Sequence, residues 1–165
     1  MRAMEKLLAL LSKGKGPEIR ELARGRLKKN RGDAEAWFML GMVAHNEGAR
    51  ESAMEYFERA LYYRNSPKYL KAMASLQMEM LDFGDAIETL REALELEDDA
   101  DANFLMGIAC LFLDSPKSRL YIKKAHRIDP KRTKKLLQRF YDKFFRDDVA
   151  IPESEKKRIL EKLAR

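Results

Sequence analysis

Along most of the chain apolar residues recur at steps of three and four, the spacing of a helix buried on one side. Between Ala34 and Ala60 this pattern is interrupted once, at Gly48, which predicts two helices joined by a tight turn. Trp37 is followed by Leu40, Gly41 and Ala44, and after the glycine come Ala53, Phe57 and Ala60. The first of these helices carries a second apolar stripe, formed by Phe38, Met42 and His45 at steps of four and three. One stripe suffices for a helix in a small domain, so the second raises the question of what covers it.

A shift of 33 residues brings the pattern back. Leu70, Met73, Ala74 and Gln77 fall under the first helix, Ala86, Leu90 and Ala93 under the second, and Gly84 is read as the turn. A further shift aligns Asn103, Met106, Gly107 and Cys110. After a one-residue contraction around Ser115 and Pro116, Ser118, Ile122, Ala125 and Pro130 follow. Gly41 and Ala53 are small where two antiparallel helices would approach closely, with Trp37, Leu40 and Phe57 filling the space around that contact. The flanks fit the same grid. An N-terminal Leu-rich helix runs to Leu11, then a breaker at Gly14-Lys15-Gly16-Pro17, then a helix through Ile19, Leu22, Ala23 and Leu27. At the other end Leu136, Leu137, Phe140, Tyr141, Phe144 and Phe145 predict a helix, followed by a turn ending at Pro152 and a last helix through Ile159, Leu160 and Leu163.

The aromatic, Leu-Gly, Ala and aromatic positions of residues 34–66 resemble the tetratricopeptide repeat (TPR), with Ala44 in place of a tyrosine and Asn65 in place of a proline. The resemblance implies an all-α, right-handed α-solenoid of helix-turn-helix hairpins with about ten helices. On this reading residues 1–165 form a single repeat domain. Residues 1–33 are a degenerate N-terminal hairpin, 34–66, 67–99 and 100–130 are TPR-like repeats, and 131–165 are a basic capping hairpin. In this family the second stripe lines a concave groove, so the resemblance implies a peptide-binding surface of Phe38, Met42 and His45, then Lys71, Ser75 and Met78, then Phe104 and Ile108, with Leu111 and Phe112 beside them. Packing between hairpins is the competing use of such residues, and it is the preferred one for Ile108 and Leu111. A third reading has the C-terminal helix, or another copy of the chain, filling the groove. With Phe38 and Met42 at the early inner positions, no clamp for a terminal carboxylate is expected.

Composition sharpens this picture. Charged residues make up 36% of the 165, with five prolines and eight glycines, as suits helices joined by short turns. The single cysteine, Cys110, excludes an internal disulfide and reads as a core thiol in a reducing compartment. No signal peptide is read at the start and the apolar run 104–113 is too short to span a bilayer, so the expected location is cytoplasmic. The abundance of Lys, Glu and Arg over Asn and Gln hints at a thermophilic source. Net charge is +6, and residues 131–165 account for it with 12 Lys and Arg against 6 Asp and Glu, whereas residues 79–101 hold ten acids and only Arg91.

A basic patch of Lys131, Arg132, Lys134, Lys135 and Arg139 therefore carries an alternative reading, a nucleic-acid-associated factor acting through the C-terminal hairpin. A solvated helix face is the preferred account, because Phe140 and Tyr141 have the spacing of inward-pointing residues. Catalysis has no support: His45 and His126 lie far apart without metal-ligand spacing, and Gly14-Lys15-Gly16 is too short to cradle phosphate. The expectation is a non-catalytic protein-interaction scaffold without cofactor or metal. Its partner would be a protein or peptide, or a second copy of itself through the groove or the C-terminal hairpin.

Overall fold

The computed structural model describes residues 2–144 together with Pro152 and Ser154. In chain order the helices are α1 (Arg2–Ser12), α2 (Gly16–Lys29), α3 (Ala34–Asn46), α4 (Arg50–Tyr63), α5 (Pro67–Glu79), α6 (Phe83–Leu96), α7 (Ala100–Phe112), α8 (Ser118–Ile128) and α9 (Pro130–Phe144). Among the described residues there is no strand, and the fold is all-α. The expected last helix through Ile159, Leu160 and Leu163 lies outside the described residues. The chain divides into two compact units, residues 1–96 and 97–165.

The 33-residue grid is visible in the helix starts at Ala34, Pro67 and Ala100. Asp33 and Asp99 each precede such a start, and their carboxylates accept the backbone N–H of Ala36 and Ala102, satisfying donors that a helix N-terminus leaves open. The Ser66 side chain makes no such bond; its backbone carbonyl accepts the N–H of Tyr69, the residue matching Ala36 and Ala102, and Pro67 at the first helical position has no N–H to satisfy.

The four turns within hairpins share one geometry. The N–H groups of Lys15, Ala49, Asp82 and Ser115 donate to the carbonyls of Leu10, Ala44, Gln77 and Cys110, closing the same six-residue loop each time. The residue before each donor is left-handed: Gly14 (φ 71°), Gly48 (φ 78°), Leu81 (φ 68°) and Asp114 (φ 50°). Gly84, read from the sequence as the turn, lies inside α6 instead. The turn conformation belongs to Leu81, a residue type that rarely adopts it.

In unit 1, α3 and α4 meet at Gly41, where an added Cβ would stand 2.5 Å from two ring carbons of the fully buried Phe57. Ala53 and Ala60 on α4 are also fully buried. Trp37 stacks on Tyr56 with ring centroids 5.9 Å apart, and its indole N–H donates to the Arg31 carbonyl. In unit 2 the equivalent contact pairs α7 with α8: a Cβ on Gly107 would stand 2.6 Å from Ile122 Cδ1. Cys110 is buried, as a packing thiol should be, and burial pushes its pKa up.

Candidate docking surface on α3 and α5

The second stripe of α3 is covered, at its N-terminal end, by the next hairpin. Phe38 is fully buried, stacked on Tyr69 of α5 at 4.7 Å and tilted against Phe57 at 5.6 Å. Assigning Phe38 to an open groove is therefore corrected: α5 supplies an aromatic ring that the repeat grid gave no reason to expect, because Ala36 and Ala102 occupy the matching positions.

Above that stack sits a polar knot. The Glu35 carboxylate accepts from Lys68 Nζ at 2.8 Å, from the Tyr69 hydroxyl at 2.9 Å and from Arg64 at 3.2 Å, and Arg64 also donates to the Tyr69 oxygen. Lys68 Nζ lies 4.8 Å from the Phe38 ring centroid. Burial alone would raise the Glu35 carboxyl, but the hydrogen bonds from Lys68 and Tyr69 and the two nearby cations outweigh it and hold its pKa below the ordinary value of 4.5. Burial, reinforced by the bond to the Glu35 carboxylate and opposed by Arg64, pushes the Tyr69 phenol up to about 12.

At the other end of the same helices His45 Nε2 lies 2.8 Å from Glu79 Oε2, both side chains about three-quarters buried. So α3 and α5 are tied at both ends, and the residues between the ties are half-buried: Met42 on α3, and Lys71, Ser75 and Met78 on α5. The Ser75 hydroxyl donates to the Lys71 carbonyl, which settles it within its own helix. Two thioethers and a long cationic side chain on packed helices make an adaptable surface, since Met fits varied shapes.

In unit 2, Phe104 and Ile108 are only 4% and 3% exposed, so neither presents a docking contact and both are corrected to core. Leu111, expected in the packing, is instead 47% exposed. Arg132 is withdrawn from the open basic patch because its guanidinium donates to Asp101 at 2.8 Å, while Lys131, Lys134, Lys135 and Arg139 are exposed. Phe140 and Tyr141 are buried. Among the described residues no group of three His, Cys, Asp or Glu side chains is placed to hold a metal, and no helix is long and apolar enough to cross a membrane.

The partners of the ties, Glu35, Tyr69 and Glu79, were missed from the sequence. A signal existed for two of them: Glu35 and Lys68 have opposite charge 33 apart, and Glu79 follows His45 by 34.

The family model of the tetratricopeptide repeat matches residues 34–67, which are α3, α4 and the start of α5. Residues 34–67 form a tetratricopeptide repeat. No curated protein matches it in sequence. Among solved structures it is similar to a MamA fragment from Desulfovibrio magneticus RS-1, with TM-score 0.70 and 20% identity over 97% of this chain and 92% of that one. It is similar to PilF of Pseudomonas aeruginosa, with TM-score 0.74 and 19% identity over 97% of this chain and 72% of that one. It is also similar to YrrB, described as a TPR protein with an unusual peptide-binding site, with TM-score 0.64 and 17% identity over 96% and 80% of the two chains. At these identities the likeness is one of fold, and the helices flanking the matched hairpin share that TPR-like fold. In TPR terms, the close contacts at Gly41 and Gly107 and the buried Ala53, Ala60, Ala86, Ala93 and Ala125 are the small positions that let paired helices approach.

Proposed function

We propose that the protein is a non-catalytic interaction scaffold that docks a peptide or helix of a protein partner on the α3–α5 surface of unit 1. The observation that carries this reading is the half-buried strip of Met42, Lys71 and Met78, held between the Glu35–Lys68 tie and the His45–Glu79 tie. Because both ends of the strip are fixed by side-chain hydrogen bonds, its helices are pre-organised, and little ordering entropy is lost on the scaffold side when a partner docks. Apolar thioethers beside one lysine suit an amphipathic segment with an acidic residue. The TPR fold supports the class of function, and the peptide-binding site of the fold relative YrrB is in keeping with it.

The test places a photo-crosslinking residue at Ser75 and identifies the captured partner in the native extract. A peptide from that partner is then titrated against the unmodified chain and against Met42→Asp and Met78→Asp. The expected result is at least a tenfold loss of affinity with an unchanged thermal midpoint. Equal affinity in both variants would remove the strip from the binding surface.

A further inference from the structure

Unit 2 carries a regularity that the scaffold reading does not use. Arg119, Lys123 and Arg127 follow at steps of four on α8, and after the extended Asp129, Lys131, Lys135 and Arg139 do the same on α9. All six are exposed, and among the described residues none makes an ion pair. Other bases nearby are engaged: Lys124 pairs with Asp98 at 2.8 Å and Arg132 with Asp101 at 2.8 Å. Residues 118–128 contain no acid at all. Like charges four apart on a helix destabilise it, so a chain that keeps three in a row on each of two helices calls for an anionic surface to offset the repulsion.

The chain itself bears such a surface. On α6 the exposed residues Asp85, Glu88, Glu92 and Glu95 follow at steps of three, four and three, on the side opposite the buried Ala86, Leu90 and Ala93. Among the described residues, Glu88 alone of these four pairs with a cation, Arg91. At about 1.5 Å rise per residue the acidic stripe spans roughly 15 Å and the α8 bases roughly 12 Å, so one helix matches the other in length. Both helices also expose aliphatic side chains, Leu96 at the end of α6 and Leu120 and Ile128 on α8. A phosphate backbone would make no use of these, and the aromatics of α9 on which bases could stack, Phe140 and Tyr141, are buried.

We propose that copies of this chain associate with one another, the acidic stripe of α6 in one copy docking on the basic face of α8 and α9 in another. The interface is electrostatic with an aliphatic margin, so it strengthens at low ionic strength.

The experiment is sedimentation of the full chain across a concentration series at about 0.02 M and about 0.5 M salt, where the screening length falls from roughly 20 Å to roughly 4 Å. The expected result is concentration-dependent association at low salt that weakens at least tenfold at high salt. A triple reversal, Arg119→Glu, Lys123→Glu and Arg127→Glu, abolishes it, and so does Asp85→Lys, Glu92→Lys and Glu95→Lys. Mixing the two reversed proteins restores association, because each now offers the stripe that the other lacks. Three results overturn the proposal: a chain that stays monomeric at low salt, association indifferent to both reversals, or a mixture that does not recover. Binding of a single-stranded polynucleotide by a chain that stays monomeric would reassign the basic face to nucleic acid. Should a reversed variant fail to fold, the salt series on the unmodified chain still decides.

Discussion

The junction between α3 and α5 in unit 1 and that between α7 and α9 in unit 2 use nearly the same chain positions for different ends. Glu35 and Lys68 are the second residues of α3 and α5, and they bond over a stacked pair of buried aromatics, with the Tyr69 hydroxyl completing the knot. Asp101 is the second residue of α7, and it bonds Arg132 in the first turn of α9; this ion pair is exposed to much the same degree as the other, but the aromatic pair of its junction, Phe112 and Phe140, meets edge to face at 6.4 Å at the far end of α7. A partly exposed ion pair contributes little on its own, whereas one set directly over a buried aromatic stack fixes register as well as adding attraction. The lesson is that one repeat position can set a hairpin rigidly or loosely according to what lies under it. The tightly set junction is the one that frames the proposed docking strip.

The largest expected effect tests that contrast directly. Phe38→Ala removes a fully buried ring that touches both Phe57 and Tyr69, and it costs about 3–5 kcal/mol in chemical denaturation. Arg132→Ala costs under about 1 kcal/mol in the same assay. Similar costs for the two would mean that the aromatic stack is not what separates the junctions.

Next in size are the close helix contacts at Gly41 and Gly107, which are alike in the two units. Gly41→Leu and Gly107→Leu each lose about 1–3 kcal/mol by overpacking. At Gly107 the backbone nitrogen of Ile122 is also within 3.2 Å of the added Cβ, so the strain there is harder to relieve. An unchanged unfolding midpoint in either variant would count against that hairpin's packing.

These contacts were legible in the sequence because they depend on residue size at a fixed period, and Gly41, Ala53, Phe57 and Gly107 keep both. Phe38 was misplaced because its exposure depends on Tyr69, 31 residues away and off the repeat pattern. Burial that comes from a neighbouring hairpin is not written in the helix that is buried. The turn after α5 was misread for a related reason. Backbone geometry there follows the grid from Gly48 to Leu81, while the nearby glycine, Gly84, serves a helix. The charges of α9 were read as one patch because they were counted by segment. Their four-residue spacing, and the engagement of Arg132 by Asp101, separate the exposed bases from the structural one.

The polar knot gives unit 1 a pH dependence. Glu35 has a folded pKa below its ordinary 4.5, so its contribution is fully present above that value and is lost as pH falls through the lower folded value. Tyr69 has the opposite sense: its neutral form is favoured up to about 12, so its contribution is present below pH 10 and declines as pH rises from 10 toward 12. Thermal midpoints of the unmodified chain should therefore drop at both extremes, and Glu35→Gln should flatten the acid limb. An acid limb unchanged in that variant would remove the knot as its source.

The smallest effect concerns the turns, where the two units differ in kind from the glycine turns before them. Leu81 in unit 1 and Asp114 in unit 2 occupy the left-handed position that Gly14 and Gly48 fill without strain. An L-residue there pays about 1–2 kcal/mol, less for Asp, whose short polar side chain tolerates the conformation. The Leu81 side chain is 74% exposed, so removing it loses little packing. Gly also gives the unfolded chain more freedom, which takes back about 0.4–1 kcal/mol of any gain. Leu81→Gly is accordingly expected to stabilise by about 0.5–1 kcal/mol, and Asp114→Gly by less than that. Gly48→Ala should destabilise by about 1 kcal/mol, the reverse change at the matching position. Denaturation midpoints of the three variants measure all of this at once. A loss of stability in Leu81→Gly would show that the exposed leucine makes contacts worth more than its backbone strain, and that unit 1 depends on this turn for packing as well as for direction.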